Sequence, residues 1–168
     1  MNYEEGKRQF IQTWGRLGGE WGINRSMAQV HALLLISASP LSTEQVMEEL
    51  SISRGNANMN IRDLVDWNLV YKEFIPGDRK EYFKAEKDVW EIARRIAKER
   101  KRREIEPVKH VLEQLQAVEG DKNQPGIAAF VQMMEQLNGF VGKMDTSIEV
   151  MLKADQNWFF GTLFKLIK

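Results

Sequence analysis

The chain has no cysteine, and that single absence removes disulfide bonds, thiolate metal sites and thiol-based redox sensing. Net charge is missing as well. Twenty-four Lys and Arg balance 24 Asp and Glu in 168 residues, so any attraction to a polyanion must come from a local basic patch. Long apolar runs are also absent: none is longer than the one from Ala32 to Ile36, far short of the ~20 residues that cross a bilayer. No amino-terminal segment joins a basic flank, an apolar run and a cleavage site, which predicts a cytoplasmic protein without a membrane partner. Catalytic signatures are missing too, with no nucleophile elbow, no phosphate-binding glycine loop and no His and carboxylate pair at metal spacing. The four glycines between Gly15 and Gly22 do not follow a strand and form no dinucleotide fingerprint. Neither an enzyme nor a cofactor or metal is expected. His31 reads as a core-edge histidine, because nothing near it in sequence completes a site.

What the chain does contain centres on Ser42 to Phe83. Ser42 with Gln45 forms a capping box ahead of a short helix whose apolar face is Val46, Met47 and Leu50. After the turn Ser51-Ile52, Ser53 can cap a second helix that runs to about Trp67. Ala57, Ile61, Leu64 and Val65 form its buried stripe. Its other side is read as polar and outward: Ser53 and Arg54 at the amino end, then Asn56, Asn58, Asn60 and Arg62. Asn is a poor helix former, so three in five residues imply a purpose other than helix stability. Asn pairs with adenine edges and Arg with guanine edges in the major groove, which makes these six residues candidate DNA contacts. Leu69-Val70-Tyr71 and Phe74-Ile75 are strand-like, Pro76 to Lys80 is a turn, and Tyr82-Phe83 is the returning strand. Lys72, Arg79, Lys80 and Lys84 are placed to meet phosphates, Arg79 being the candidate for a minor groove. A winged helix used only for protein contacts is the competing reading.

Elsewhere the periodicity is helical. Asn2 with Glu5 can cap a first helix with Phe10, Ile11, Trp14 and Leu17 on one face, which Gly18-Gly19 should weaken. Ser26 with Gln29 is a further capping box, opening a central apolar helix, after which Pro40 stops the connection and delivers the chain to Ser42. From Glu86 a long helix carries Val89, Trp90, Ile92, Ala93, Ile96 and Ala97, then the run KERKRRE. That run reads as a solvated face, with Arg100, Arg102 or Arg103 near a DNA backbone as the alternative. Pro107 should kink or restart the helix. Glu119 to Gly126 is a loop, and Ile127, Phe130, Val131, Met134, Leu137, Val141 and Met144 form a coiled-coil-like seam that calls for a second copy of the chain. The expected fold is mainly α with a small β-wing. Residues 1–85 form a winged helix-turn-helix DNA-binding domain, and residues 86–168 a linker helix and helical dimerisation region.

The run SRGNANMNIRDLVDWNLV followed by GDRKEYF resembles the winged helix-turn-helix of the GbsR branch of the MarR-like transcriptional regulators. The amino-terminal FIQTWGRLGGEWGINRSMAQVHALLL resembles the same branch, and the likeness weakens after about Val118. This resemblance implies a homodimeric repressor of double-stranded DNA, one winged helix per subunit, with a small-molecule response. Members of that branch regulate compatible-solute uptake and synthesis, and some respond to choline. Trp14, Trp21, Trp90 and Trp158 are thereby candidate aromatic faces for a quaternary ammonium effector, held by cation–π attraction. Core or interface packing is the plainer use of those rings.

Overall fold

The computed structural model describes residues 1–118 and 124–154. Helix α1, Tyr3–Glu20, starts at the Asn2–Glu5 capping box, with bonds of 2.9 Å in both directions. It does not falter at Gly18-Gly19. Gly15 and Gly18 are buried where α1 crosses α2, Arg25–Ile36: a Cβ on Gly15 would meet Gln29 Cγ at 2.5 Å, and one on Gly18 would meet Ala28 Cβ at 2.5 Å. The glycines therefore permit close helix packing, a gain that outweighs their propensity cost of about 1 kcal/mol each. The helix stops at Gly22, whose left-handed φ of 77° lets Ile23 and Gly22 donate to the carbonyls of Gly18 and Gly19. Helix α2 is capped by Asn24 and not by Ser26. The Asn24 side chain reaches the amides of Ser26 and Met27, which leaves Ser26 inside the first turn.

Val30, Ala32, Leu33 and Leu34 of α2 are the centre of the core. The carbonyls exposed at the carboxyl end of α2 are met by the Lys87 ammonium, which donates to Leu34, Leu35 and Ser37 oxygens at 3.0, 2.5 and 3.0 Å. A cation there also opposes the negative end of the helix dipole. The chain continues through β1, Leu41–Ser42, to α3, Thr43–Leu50, capped by the Ser42–Gln45 box as expected. Helix α4, Arg54–Asp66, begins at Ser53 and ends at Asn68, whose φ of 58° closes the same kind of two-bond terminus as Gly22. Strands β2, Val70–Phe74, and β3, Glu81–Ala85, are longer than the sequence pattern indicates and run unbroken through Lys72-Glu73. The antiparallel sheet has the order β1-β3-β2, with Leu41 opposite Phe83 and Lys72 opposite Phe83 on its other side. Strand β1 escapes sequence reading because two residues carry no periodicity.

The chain divides into two compact units, Met1–Ile92 and Ala93–Lys168, with the boundary inside α5, Val89–Arg100. In the second unit Pro107 neither stops nor restarts the helix, because the backbone stays helical from α5 through Glu106. A π-helical turn, Lys101–Ile105, immediately precedes α6, Glu106–Gln116, so the local widening of the helix falls where Pro107 lacks an amide donor and its ring would crowd the preceding turn. The basic run is largely neutralised within its own helix. Arg102 and Arg103 both bind Glu99, Arg100 binds Glu104 at 3.0 Å, and Lys101 reaches Asp145 and Glu149 at 3.1 and 3.0 Å. These two carboxylates belong to α7, Pro125–Lys153. Pro125 and Gly126 are thus the first helical turn and not loop, while residues 119–123 of the expected loop lie outside the described residues.

His31 in α2 is buried beside the ring of Trp14, 6.4 Å between centroids, and its Nε2 has no hydrogen-bond partner. Burial, assisted by the Lys87 charge, pushes the imidazole down to about 4. An unfolded histidine titrates near 6.5, so the unfolded chain binds the extra proton between those values. The His31 contribution to stability is complete above pH ~6.5 and declines as the pH falls towards ~4. Chemical denaturation should show His31 costing about 2 kcal/mol between pH 7 and pH 5, as the difference between the wild type and His31→Leu.

Candidate nucleic-acid interface

The capped ends of α4 fix its length, and its buried stripe fixes its rotation. Ala57, Ile61 and Leu64 lie in the core, so the residues opposite them face outward: Arg54, Asn58 and Arg62 are exposed, together with Gly55 and Met59. Ser53 is exposed and its hydroxyl accepts from the Asn56 amide at 3.3 Å, a capping role. Arg54 donates to Glu44 of α3 at 2.8 Å, tying the two helices together while remaining mostly open to solvent.

Asn60 is not on that outer face. It is 0% exposed, and its side-chain amide donates to the Asn56 carbonyl at 2.8 Å and to Asn56 Oδ1 at 2.5 Å. The reason is spacing: positions 57, 60, 61 and 64 are the i, i+3, i+4, i+7 set of one helical face, so Asn60 turns inward whatever its polarity. Its own Oδ1 is buried without a partner. Asn56, half-buried and accepting from Asn60, is partly withdrawn as well.

The register of the hairpin brings the wing to α4. Val70, Lys72 and Phe74 share one sheet face with Ala85, Phe83 and Glu81, and part of that face closes a groove of about 290 Å³ against α4. The groove is lined by Asn58, Ile61, Arg62 and Val65 from the helix and by Lys72, Glu81 and Phe83 from the wing. Asn58, Arg62 and Lys72 are therefore brought together. Lys72 is opposed by Glu81 at 2.8 Å, and Lys84 on the other face by Glu73 at 2.5 Å. Arg79 and Lys80 project from the turn, which is organised by Asp78: its carboxylate accepts from the Lys80 amide at 2.9 Å and from the Tyr82 hydroxyl at 2.8 Å. These bonds hold the Asp78 carboxyl below its ordinary range. Among the described residues, Arg62, Arg79 and Lys80 have no carboxylate at ion-pair distance.

The aromatic residues have mixed placements. Trp14 is half-buried between Phe10, at 5.6 Å, and His31, and its ring is occupied by that packing. Trp21 is 58% exposed at the end of α1, Trp90 is half-buried in the first turn of α5, and Trp158 lies outside the described residues. Sequence reading missed Lys87, for which a lone lysine after a strand gives no signal, and Met59, which composition assigns to no role.

A helix-turn-helix followed by a hairpin that packs on the second helix is a winged helix, here extended by a helical unit. Residues 21–81, which include α2 to α4 and most of the wing, match the MarR family. A solved structure, described as the crystal structure of a transcriptional regulator, has the same fold at a TM-score of 0.66 and 17% identity, covering 88% of this chain and 95% of its own. No curated protein matches the chain. The match supports a MarR-like winged helix, and the solved neighbour supports the fold over most of the chain.

The inward turn of Asn60 separates two kinds of substitution. Asn60→Ala should lower stability by ~1–3 kcal/mol in chemical denaturation, because it removes two hydrogen bonds and leaves a cavity. Arg62→Ala, at an exposed position with no carboxylate beside it among the described residues, should stay within about 0.5 kcal/mol of the wild type.

Proposed function

We propose that the chain is a sequence-specific DNA-binding transcriptional regulator of the GbsR-like branch, a cytoplasmic repressor acting as a homodimer. The observation that carries this reading is the groove between α4 and the wing, where Asn58, Arg62 and Lys72 converge while Arg62, Arg79 and Lys80 lack a carboxylate partner among the described residues. Cations without a carboxylate at ion-pair distance, in a chain with zero net charge, suit a polyanion. The MarR family match, and the solved neighbour described as a transcriptional regulator, support the same reading.

In this reading α4 lies in a major groove with Asn58 towards an adenine edge and Arg62 towards a guanine edge, while Arg79 and Lys80 meet the backbone beside an adjacent minor groove. The cognate duplex is obtained by selection from a random DNA pool. On it, Asn58→Ala or Arg62→Ala should each cost ~1–3 kcal/mol, with much smaller effects on random duplex. Equal effects on both duplexes would leave backbone contact only. Arg79→Ala should make the salt dependence of binding shallower by about one unit for each phosphate that the side chain no longer neutralises. Wild-type protein that shows no salt-sensitive binding to any duplex would instead favour a winged helix used for protein contacts.

Dimerisation is supported by α7, which carries two apolar stripes and not one. Ile127, Val131, Met134 and Val141 are half-buried in the second unit, whereas Phe130, Met133, Leu137, Phe140 and Met144 remain exposed, Phe140 at 62%. Their spacing of three and four is the a/d repeat of a coiled-coil seam. A second copy of the chain would cover that seam and set two recognition helices ~34 Å apart. Leu137→Lys should turn the dimer into monomer in light scattering. A dimer that survives this change would place the interface elsewhere.

A quaternary ammonium effector is the finer part of the proposal. It rests on the exposed Trp21, on Trp90, and on the resemblance to the branch, with Trp14 already engaged in the core. Millimolar choline should change tryptophan fluorescence and weaken operator binding together; silence in both signals removes the effector and leaves DNA binding untouched.

A further inference from the structure

The outer strip of α4 contains two residues that hydrogen bonding to bases does not explain. Gly55, Asn58, Met59 and Arg62 follow the i, i+3, i+4, i+7 spacing on the face opposite the buried stripe. Met59, 51% exposed, puts a thioether with no strong donor or acceptor between Asn58 and Arg62. Gly55 is more unusual. Its φ lies outside the left-handed region, and a Cβ built on it meets nothing within 4 Å, so neither backbone conformation nor internal packing calls for glycine. Glycine also disfavours the helix it sits in. An unfilled glycine is not peculiar to this position, since Gly19, Gly139 and Gly142 are likewise open, but among the residues of this outer strip Gly55 is the one without a side chain to hold an approaching surface away.

We infer that Gly55 is the gap through which α4 closes on the floor of a major groove, and that Met59 reads sequence there by packing its terminal methyl against the C5-methyl of a thymine. This inference rests on the DNA-binding reading above and adds a chemical specificity to it. Thymine is the only base whose major-groove edge carries a methyl group, and an apolar side chain is the complement to it. Methionine is unbranched and polarizable, and adjusts to an irregular contact at little rotamer cost. Asn58, one residue before, offers the amide suited to an adenine edge, so the pair Asn58-Met59 is equipped for A·T steps.

The experiment uses the full chain and the duplex selected from the random pool, with each thymine of one half-site replaced in turn by deoxyuridine, which removes only the methyl. Wild-type affinity should fall by about fourfold at one thymine, the worth of one buried methyl, and Met59→Ala should bind the thymine and deoxyuridine forms of that position equally. A flat scan with the wild type, or the same penalty in Met59→Ala, overturns the Met59 assignment. Gly55→Ala should raise the melting temperature by ~1–4 °C and yet weaken cognate binding by ~5-fold or more. Unchanged or tighter binding by this more stable variant overturns the close approach. Failure of the wild type to bind any duplex is a different result: it removes the DNA-binding reading, and this inference with it.

Discussion

What α4 presents to solvent depends on how the helix is seated in the core. Ala57, Ile61 and Leu64 are buried with α2 residues Val30, Leu33 and Leu34. Burying three or four such side chains contributes several kcal/mol, of order 1.5–3 each for the larger ones. That exceeds the cost of turning one polar residue inward, and so Asn60 is carried into the interior. Its internal bonds to Asn56 make the position tolerable. The same rotation presents Gly55, Asn58, Met59 and Arg62 together.

Helix ends do the rest of the positioning. Ser42 closes a strand and caps α3 at once, Ser53 starts α4 two residues after the left-handed Ser51, and Asn68 reverses the chain into the wing. With these fixed, the hairpin has one register, and Phe83 and Lys72 must face α4. Lys87 secures the exit from β3 by satisfying three carbonyls at the end of α2. Its ammonium is desolvated there, which depresses its pKa, but it gains three charge-assisted bonds. The wing root and the central helix are thus held by a polar clamp as well as by apolar burial.

The second unit follows a different logic. Lys101, Asp145 and Glu149 form an ion network at the π-helical turn, and the apolar residues of α7 divide between an inner and an outer stripe. Helix α7, 29 residues long, has no fully buried residue among the described residues, so its outer stripe is left to solvent there. The proposed second copy of the chain would cover the outer stripe.

Local chemistry was legible in the chain itself. The boxes at Asn2 and Ser42, the cap at Ser53, the disturbance of the helix before Pro107 and the hairpin turn at Pro76 to Lys80 follow from chemistry between residues no more than a few positions apart. So did the helix-turn-helix and its wing, because apolar period and turn residues are written in neighbouring positions. What the chain alone left open is set by groups distant in sequence. Gly15 and Gly18 look like helix weakeners until Gln29 and Ala28 lie against them, and Lys87 has no evident role until α2 ends beside it. Asn60 shows the division most clearly. Its residue type points outward and its spacing points inward, and the burial of a whole helix face, a tertiary quantity, outweighs the preference of a single amide.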